Sequence, residues 1–240
     1  MNELSFLKGD PIEIANGLKV YPATLAEIAE VGELTYNSFI SVISITKDTL
    51  NFNNKDELHF NSDLEFILYL IRNYYEVFEL FTKALNLFLR SEIEYREDLG
   101  IIVQSGENQF ILDDFLFSQI KEIVRKQNFL KDSENSDFKP ANSKAMALLE
   151  KFNKAKEKIQ KQNTEEGLSL KDIISIVATY SNDINIKTVW DLTVSQLYES
   201  YLRLIIWDDY QNKQRLLPHI SDPQSLDLKH WATDINKIKN

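Results

Sequence analysis

The stretch LEFILYLIRNYYEVFELFTKALNLFLR, from Leu64 to Arg90, constrains the fold of this chain more than any other. Its charged residues are Glu65, Arg72, Glu76, Glu79, Lys83 and Arg90. At about 100° per residue all of them fall within an arc of roughly 60° on a helical wheel. A helix with one narrow wet stripe must be covered on nearly every other side. A bilayer cannot supply the cover, because the longest apolar run, Phe66–Ile71, is far short of the roughly 20 residues that a span requires. The stretch therefore predicts a helix at the centre of a folded domain. Its excess of Tyr and Phe also allows one flank to serve a partner.

A chain of 240 residues, 43% of them hydrophobic, can bury a substantial core as one large domain or two small ones. The formal charge of −10 argues against general nucleic-acid binding, which depends on Lys and Arg neutralising phosphates. There is no cysteine, so disulfides and thiolate chemistry are excluded. The opening MNELSFLKGDPIEI has no apolar run followed by small residues, and the expectation is no signal peptide and a cytoplasmic setting.

Local signals divide the chain into mainly helical segments. In PIEIANGLKVYP, short extended runs flank Asn16-Gly17, a pair suited to a tight hairpin turn. Thr24 and Glu27 form a capping-box signature that opens one apolar-periodic helix through TLAEIAEVGELTYNSFISVISI. NFNNKDELHFN reads as a polar connector, and IIVQSGENQFIL as a second hairpin about Ser105-Gly106. Asp113 or Asp114 starts a helix that ends in Lys and Arg, as the helix dipole favours. KDSENSDFKPANS is the most loop-like segment. Beyond it, Ala145, Leu148, Leu149, Phe152, Ala155 and Ile159 share one face of a lysine-rich amphipathic helix. Ser169 lies near the start of a short buried helix, Thr193 and Gln196 cap a long one that Pro218 stops, and LKHWATDINKIK predicts a short terminal helix. No internal repeat is found. The expected fold class is mainly α, a helical bundle with one or two short β-hairpins. Residues 1–130 form an N-terminal helical region with hairpins, 131–143 a linker and 144–240 a C-terminal helical region.

Charge is segregated along this layout. Lys121 to Gln162 holds eleven Lys or Arg against six Asp or Glu, which leaves the rest of the chain at about −15. The lysine-rich helix contains no Arg and reads as a solvated face or as a docking surface for an acidic region of the same protein.

A search for chemistry finds no catalytic constellation. The carboxylates Asp113/Asp114, Asp208/Asp209 and Glu92, Glu94, Glu97, Asp98 could act as acid and base. However, adjacent carboxylates diverge by about 100° on a helix and read better as solvated helix ends. His59, His219 and His230 are scattered, with no HExxH pair for a metal. The six glycines form neither GxGxxG nor a P-loop. No catalytic residue, metal ligand or cofactor is predicted, and the chain is expected not to be an enzyme. The aromatic residues are more suggestive: Tyr69, Tyr74, Tyr75, Phe78, Phe81 and Phe88 in one segment, and Trp190, Tyr198, Tyr201, Trp207, Tyr210 and Trp231 in the last quarter. They are candidates for core, and for contact area with a polar handle.

The segment GLKVYPATLAEIAEVGELTYNSFISVI and the closing VWDLTVSQLYESYLRL, WDDY and LKHWATDI resemble tail assembly chaperone proteins of phages infecting Gram-positive bacteria. QNFL, KPANSKAMALLEKF and LSLKDIISIV fall between them in the order usual for that group. The resemblance implies a small helical protein that binds the long hydrophobic tape measure protein during tail morphogenesis, without catalysis, in the host cytoplasm. An apolar helical client suits an apolar groove on a net acidic carrier. The alternative is a structural component of the tail or baseplate, located in the virion. The implied partners are the tape measure protein or other tail proteins, with a homo-oligomer as a further option, and neither nucleic acid nor membrane. The uncharged faces of the two long helices then supply the expected contacts: Tyr69, Tyr74, Phe78 and Phe81 on one, Tyr198, Tyr201 and Trp207 on the other.

Overall fold

A computed structural model describes residues 3–47, 59–130, 168–219, 228 and 230–232. The loop-like segment 131–143, the lysine-rich helix and most of the polar connector and terminal helix lie outside the described residues. The fold is mainly α. Eight α-helices and two small antiparallel sheets of two and three strands make up the described part.

A short helix α1 (Glu3–Lys8) leads into the first hairpin, β1 (Ile12–Ala15) and β2 (Leu18–Val20). The turn is the one expected at Asn16-Gly17, with Gly17 at φ 86°, a conformation open to glycine. The register shifts between Glu13 and Ala15, which marks a bulge in the first strand.

The capping box at Thr24 forms as the sequence predicts. The Glu27 amide donates to Thr24 Oγ1 at 3.2 Å, and Glu27 Oε2 accepts from the Thr24 amide at 2.8 Å. The single helix expected beyond it is instead two, α2 (Leu25–Val31) and α3 (Glu33–Ser44). They are divided by Gly32 at φ 85°, ψ 137°, a conformation outside any helix. Apolar periodicity runs through the break because both helices face the same core. The strained region that Gly32 adopts is nearly closed to other residues.

The charged-stripe segment is also divided. It forms α4 (Asp63–Asn73) and α5 (Tyr75–Leu89), with extended backbone at Tyr74 (φ −137°, ψ 108°) between them. The stripe survives the break, since Glu65, Arg72, Glu76, Glu79, Lys83 and Arg90 are all exposed. Leu64, Phe66, Ile67, Leu70 and Ile71 in α4, and Val77, Phe81, Ala84, Leu85, Phe88 and Leu89 in α5, are buried.

After Arg90, which closes α5 in the left-handed region, the chain forms β3 (Glu92–Arg96), β4 (Gly100–Ser105) and β5 (Asn108–Ile111), in that order across the sheet. The hairpin at Ser105-Gly106 is as expected. β3 is not anticipated, because EIEYR reads as part of an acidic cluster when the alternation of Ile93 and Tyr95 is overlooked. Helix α6 (Asp114–Gln127) starts at Asp113, whose Oδ1 accepts from the Leu116 amide. Two further capping boxes, Ser169 with Asp172 and Thr193 with Gln196, open α7 (Leu170–Tyr180) and α8 (Val194–Leu216). Helix α8 gives way to a single 3-10 turn at Leu217–His219, across Pro218.

One continuous core holds these elements. Helix α3 packs on α5 and α6, α4 packs on α5, and the first hairpin packs against α6. Phe39, Phe66, Phe88, Ile120, Ile173, Val177 and Leu197 belong to the same buried cluster, so α7 and the start of α8 share the core of the N-terminal elements. The join is also polar. The Leu25 amide donates to Leu192 O at 2.8 Å, and Gln196 Nε2 donates to Leu7 O and Lys8 O.

Candidate partner-binding surface

The structure separates the seven predicted contact residues into core, flank and surface. Phe81 is 1% exposed and packs on Phe117 with ring centroids 5.9 Å apart. Tyr198 is also buried and lies 5.8 Å from Phe129. Tyr69 is half-buried beside Phe60, and Tyr201 is half-buried at the edge of the core. Tyr74, half-buried, is the break between α4 and α5, and Phe78, also half-buried, lies in the first turn of α5. Trp207 is 44% exposed.

Burial at the junction of α3, α6 and α8 has an electrostatic consequence. The Tyr36 hydroxyl donates to Asn128 Oδ1 at 2.6 Å, Asn128 Nδ2 donates to Val124 O, and Ser195 Oγ donates to Gln127 O at 2.8 Å. Burial raises the pKa of Tyr36 well above the ordinary phenol value. It also pushes Tyr198 up to about 12, with smaller contributions from Glu33 and Tyr201. A phenol whose pKa is higher folded than unfolded stabilises the fold fully below about pH 10, and that contribution is lost as pH rises through the folded value. We therefore expect alkaline unfolding between about pH 10 and 12, with ionisation of the buried Tyr36 and Tyr198 and loss of helical circular dichroism coinciding. Tyr36→Phe should make the decline with pH shallower. Phenolate absorbance from every tyrosine ahead of any loss of helix would contradict this.

Two clusters of aromatic residues reach solvent. The first surrounds a hollow of about 740 Å³ beside the α4–α5 break, lined by Ile71, Arg72, Asn73, Tyr75, Phe78, Tyr95 and Glu97. The second lies on α8, where Trp207 meets Trp231 edge-on at 5.5 Å and Tyr210 meets His230 at 5.4 Å. There Arg203 Nη1 donates to Trp231 O at 3.0 Å. Tyr95 is not among the contacts expected from sequence, because β3 is not anticipated there, although the i, i+2 spacing of Ile93 and Tyr95 carries its signal.

Helix α8 has two different faces. At about 100° per residue, Val194, Leu197, Tyr198, Tyr201, Ile205 and Leu216 lie within an arc of about 100°. The stripe begins in the core with Val194, Leu197 and Tyr198 buried and reaches Ile205 at 44% exposure; beyond it the same arc carries Asp208, Asn212 and Arg215 before Leu216, which is 49% exposed. Beyond Tyr198, no described side chain of α8 is buried. Trp207, Arg203 and Tyr210 occupy the opposite face, where His230 and Trp231 meet them.

Residues 157–236 match the family model of the YomV second domain. This is a phage-associated domain family, so the similarity ties the last third of the chain to phage biology. The YomV-like stretch contains α7, all of α8 and the Trp207–Trp231 contact, whereas the hollow beside β3 lies outside it. No curated protein and no solved structure matches the chain.

The carboxylates considered as acid and base do not converge. Asp113 caps α6, Asp209 is 2.8 Å from Lys213 on the same helix, and Glu94 is held below the usual carboxylate range by its hydrogen bond from Arg96. Among the described residues, no three His, Asp or Glu side chains are grouped so that they could hold a metal ion, and no helix is long and apolar enough to cross a membrane.

Proposed function

We propose that this protein is a non-catalytic phage tail assembly chaperone that holds the hydrophobic tape measure protein during tail morphogenesis. The supporting observation is the apolar stripe of α8, which runs out of the core through Tyr201 to an exposed Ile205 on a surface that the described residues leave open, before the arc turns polar at Asp208. It lies within the stretch similar to a phage-associated domain. An open apolar helix face suits a client that is itself apolar and helical, since such helices pair through anchors spaced three and four residues apart. The net charge of −10 keeps the carrier from associating with itself through like-charge repulsion.

The test is co-expression with the tape measure gene of the same genome. The client should become soluble and co-purify with the wild-type chain. Ile205→Asp should reduce recovery of the client by about tenfold or more while the purified variant keeps its helical circular dichroism. A client equally insoluble with and without the chain would reject the proposal. Mass spectrometry of purified virions separates the structural alternative, because a chaperone is depleted there and a tail component is present at fixed copy number.

A further inference from the structure

We propose that Asn16, in the turn of the first hairpin, is a site of spontaneous deamidation restrained by Glu13, and that its conversion loosens the joint between the two hairpins. Asn16-Gly17 is the only Asn-Gly pair in the chain. The reaction requires the backbone nitrogen of the next residue to reach the carboxamide carbon, and glycine, which has no Cβ, shields that nitrogen least. Both residues are exposed, in the turn that joins Ala15 to Leu18. The Asn16 carboxamide has no hydrogen-bond partner among the described residues, whereas those of Asn61, Asn73, Asn108 and Asn212 each donate a bond. It is free to rotate toward the Gly17 nitrogen.

The Gly17 nitrogen gives up its proton to solvent base and attacks Asn16 Cγ. The new N–Cγ bond closes a five-membered succinimide, the Cγ–Nδ2 bond breaks, and Nδ2 takes up a proton and leaves as ammonia. Water then opens the ring at either carbonyl and gives aspartate or isoaspartate, so one water is consumed for each ammonia released. In this structure the Gly17 N–H donates to Glu13 Oε1 at 3.1 Å. That bond must break before the nitrogen can attack, and the carboxylate opposes the negative charge that the nitrogen must carry. The turn is also a joint. Asn108 Nδ2 donates to Asn16 O at 3.3 Å and Ser105 Oγ donates to Gly17 O at 3.1 Å, which ties it to the turn of the second hairpin. Isoaspartate routes the main chain through Cγ, adds a methylene to the turn and makes the former backbone carbonyl a carboxylate, so both bonds lose their geometry. This site is independent of the chaperone reading.

The experiment incubates the full chain in mildly alkaline buffer and follows the tryptic peptide Gly9–Lys19 by mass spectrometry with electron-transfer fragmentation, which separates isoaspartate from aspartate. Asn16 should convert about tenfold or more faster than Asn61, where the Cβ of Ser62 shields the nitrogen and Glu65 holds the carboxamide. Glu13→Ala should speed conversion about three- to tenfold. The isoaspartate form, separated by anion exchange, should melt about 2 °C or more below the unreacted chain, and Asn16→Ser aged in the same way should keep its Tm. Glu13 and Asn16 are exposed, so the variants keep the fold, which circular dichroism checks. An intact Asn16, equal conversion at Asn61, an unchanged or slower rate in Glu13→Ala, or an isoaspartate form that melts with the unreacted chain would each overturn the proposal.

Discussion

Phe81→Ala is expected to destabilise the protein by about 3–5 kcal/mol, lowering Tm by on the order of 10 °C. Phe81 is 1% exposed, and its ring rests against Phe117 on α6 at 5.9 Å. Truncation removes the transfer energy of the ring and leaves a cavity between α5 and α6, which can relax only in part because both helices are fixed by other contacts. Thermal melts of the purified variant measure the loss. The result also distinguishes core from contact surface. A residue that gripped a partner would affect binding more than Tm, and a melt within about 1 kcal/mol of wild type would show that Phe81 is not part of the core.

The second large effect belongs to Lys121. Its Nζ lies 2.6 Å from Asp63 Oδ2 and donates to Ile45 O at 2.8 Å, and its side chain is only 12% exposed. Asp63 Oδ1 also accepts from the Lys47 amide at 2.8 Å. One lysine on α6 thus ties the end of α3 to the start of α4. Lys121→Ala removes the countercharge of a half-buried carboxylate and a donor to a helix-terminal carbonyl. It should cost about 2–4 kcal/mol, between the loss of a charged hydrogen bond and the breaking of a fully buried ion pair. Lys83→Ala is the control, because the Lys83–Glu79 pair is 2.6 Å long but exposed on both sides. It should cost less than about 0.5 kcal/mol and should weaken further in high salt. Denaturant titration of both variants measures the difference, and equal costs would reject the structural role of Lys121.

Both residues show which information is local. Thr24, Asp113, Ser169 and Thr193 each cap the helix that the sequence assigns to them, because a cap needs only a short polar side chain and an amide two or three residues away. The turns at Asn16-Gly17 and Ser105-Gly106 were legible for the same reason. The breaks at Gly32 and Tyr74 were not. Apolar spacing reports which side of the chain faces the core, and it stays in phase across a break when both helices pack on the same core. β3 is not legible in the same way, because its pairing with β4 is specified by residues on another strand and its own charges read as an acidic cluster.

The candidate surface was less legible than the fold. Of the aromatic residues in α4 and α5, the sequence offered Tyr69, Tyr74, Phe78 and Phe81 on equal terms. The tertiary structure put Phe81 in the core and gathered Phe78 with Tyr75 and Tyr95 around a hollow, because only there does β3 pass beside the break. On α8 the same apolar stripe is buried at Leu197 and open at Ile205. The arc turns polar at Asp208, but nothing between Leu197 and Ile205 marks where the neighbouring helices end.

By itself, the sequence determined the helical class, the helix starts, the hairpin turns and the single wet stripe from Glu65 to Arg90, since each depends on residues within a few positions of one another. Only the tertiary structure decided which apolar side chains are enclosed, where the stripe of α8 leaves the core, and that Tyr36 and Asn128, separated by 92 positions, share a buried hydrogen bond. Burial is a property of what lies opposite a side chain, and that partner is chosen by the whole chain.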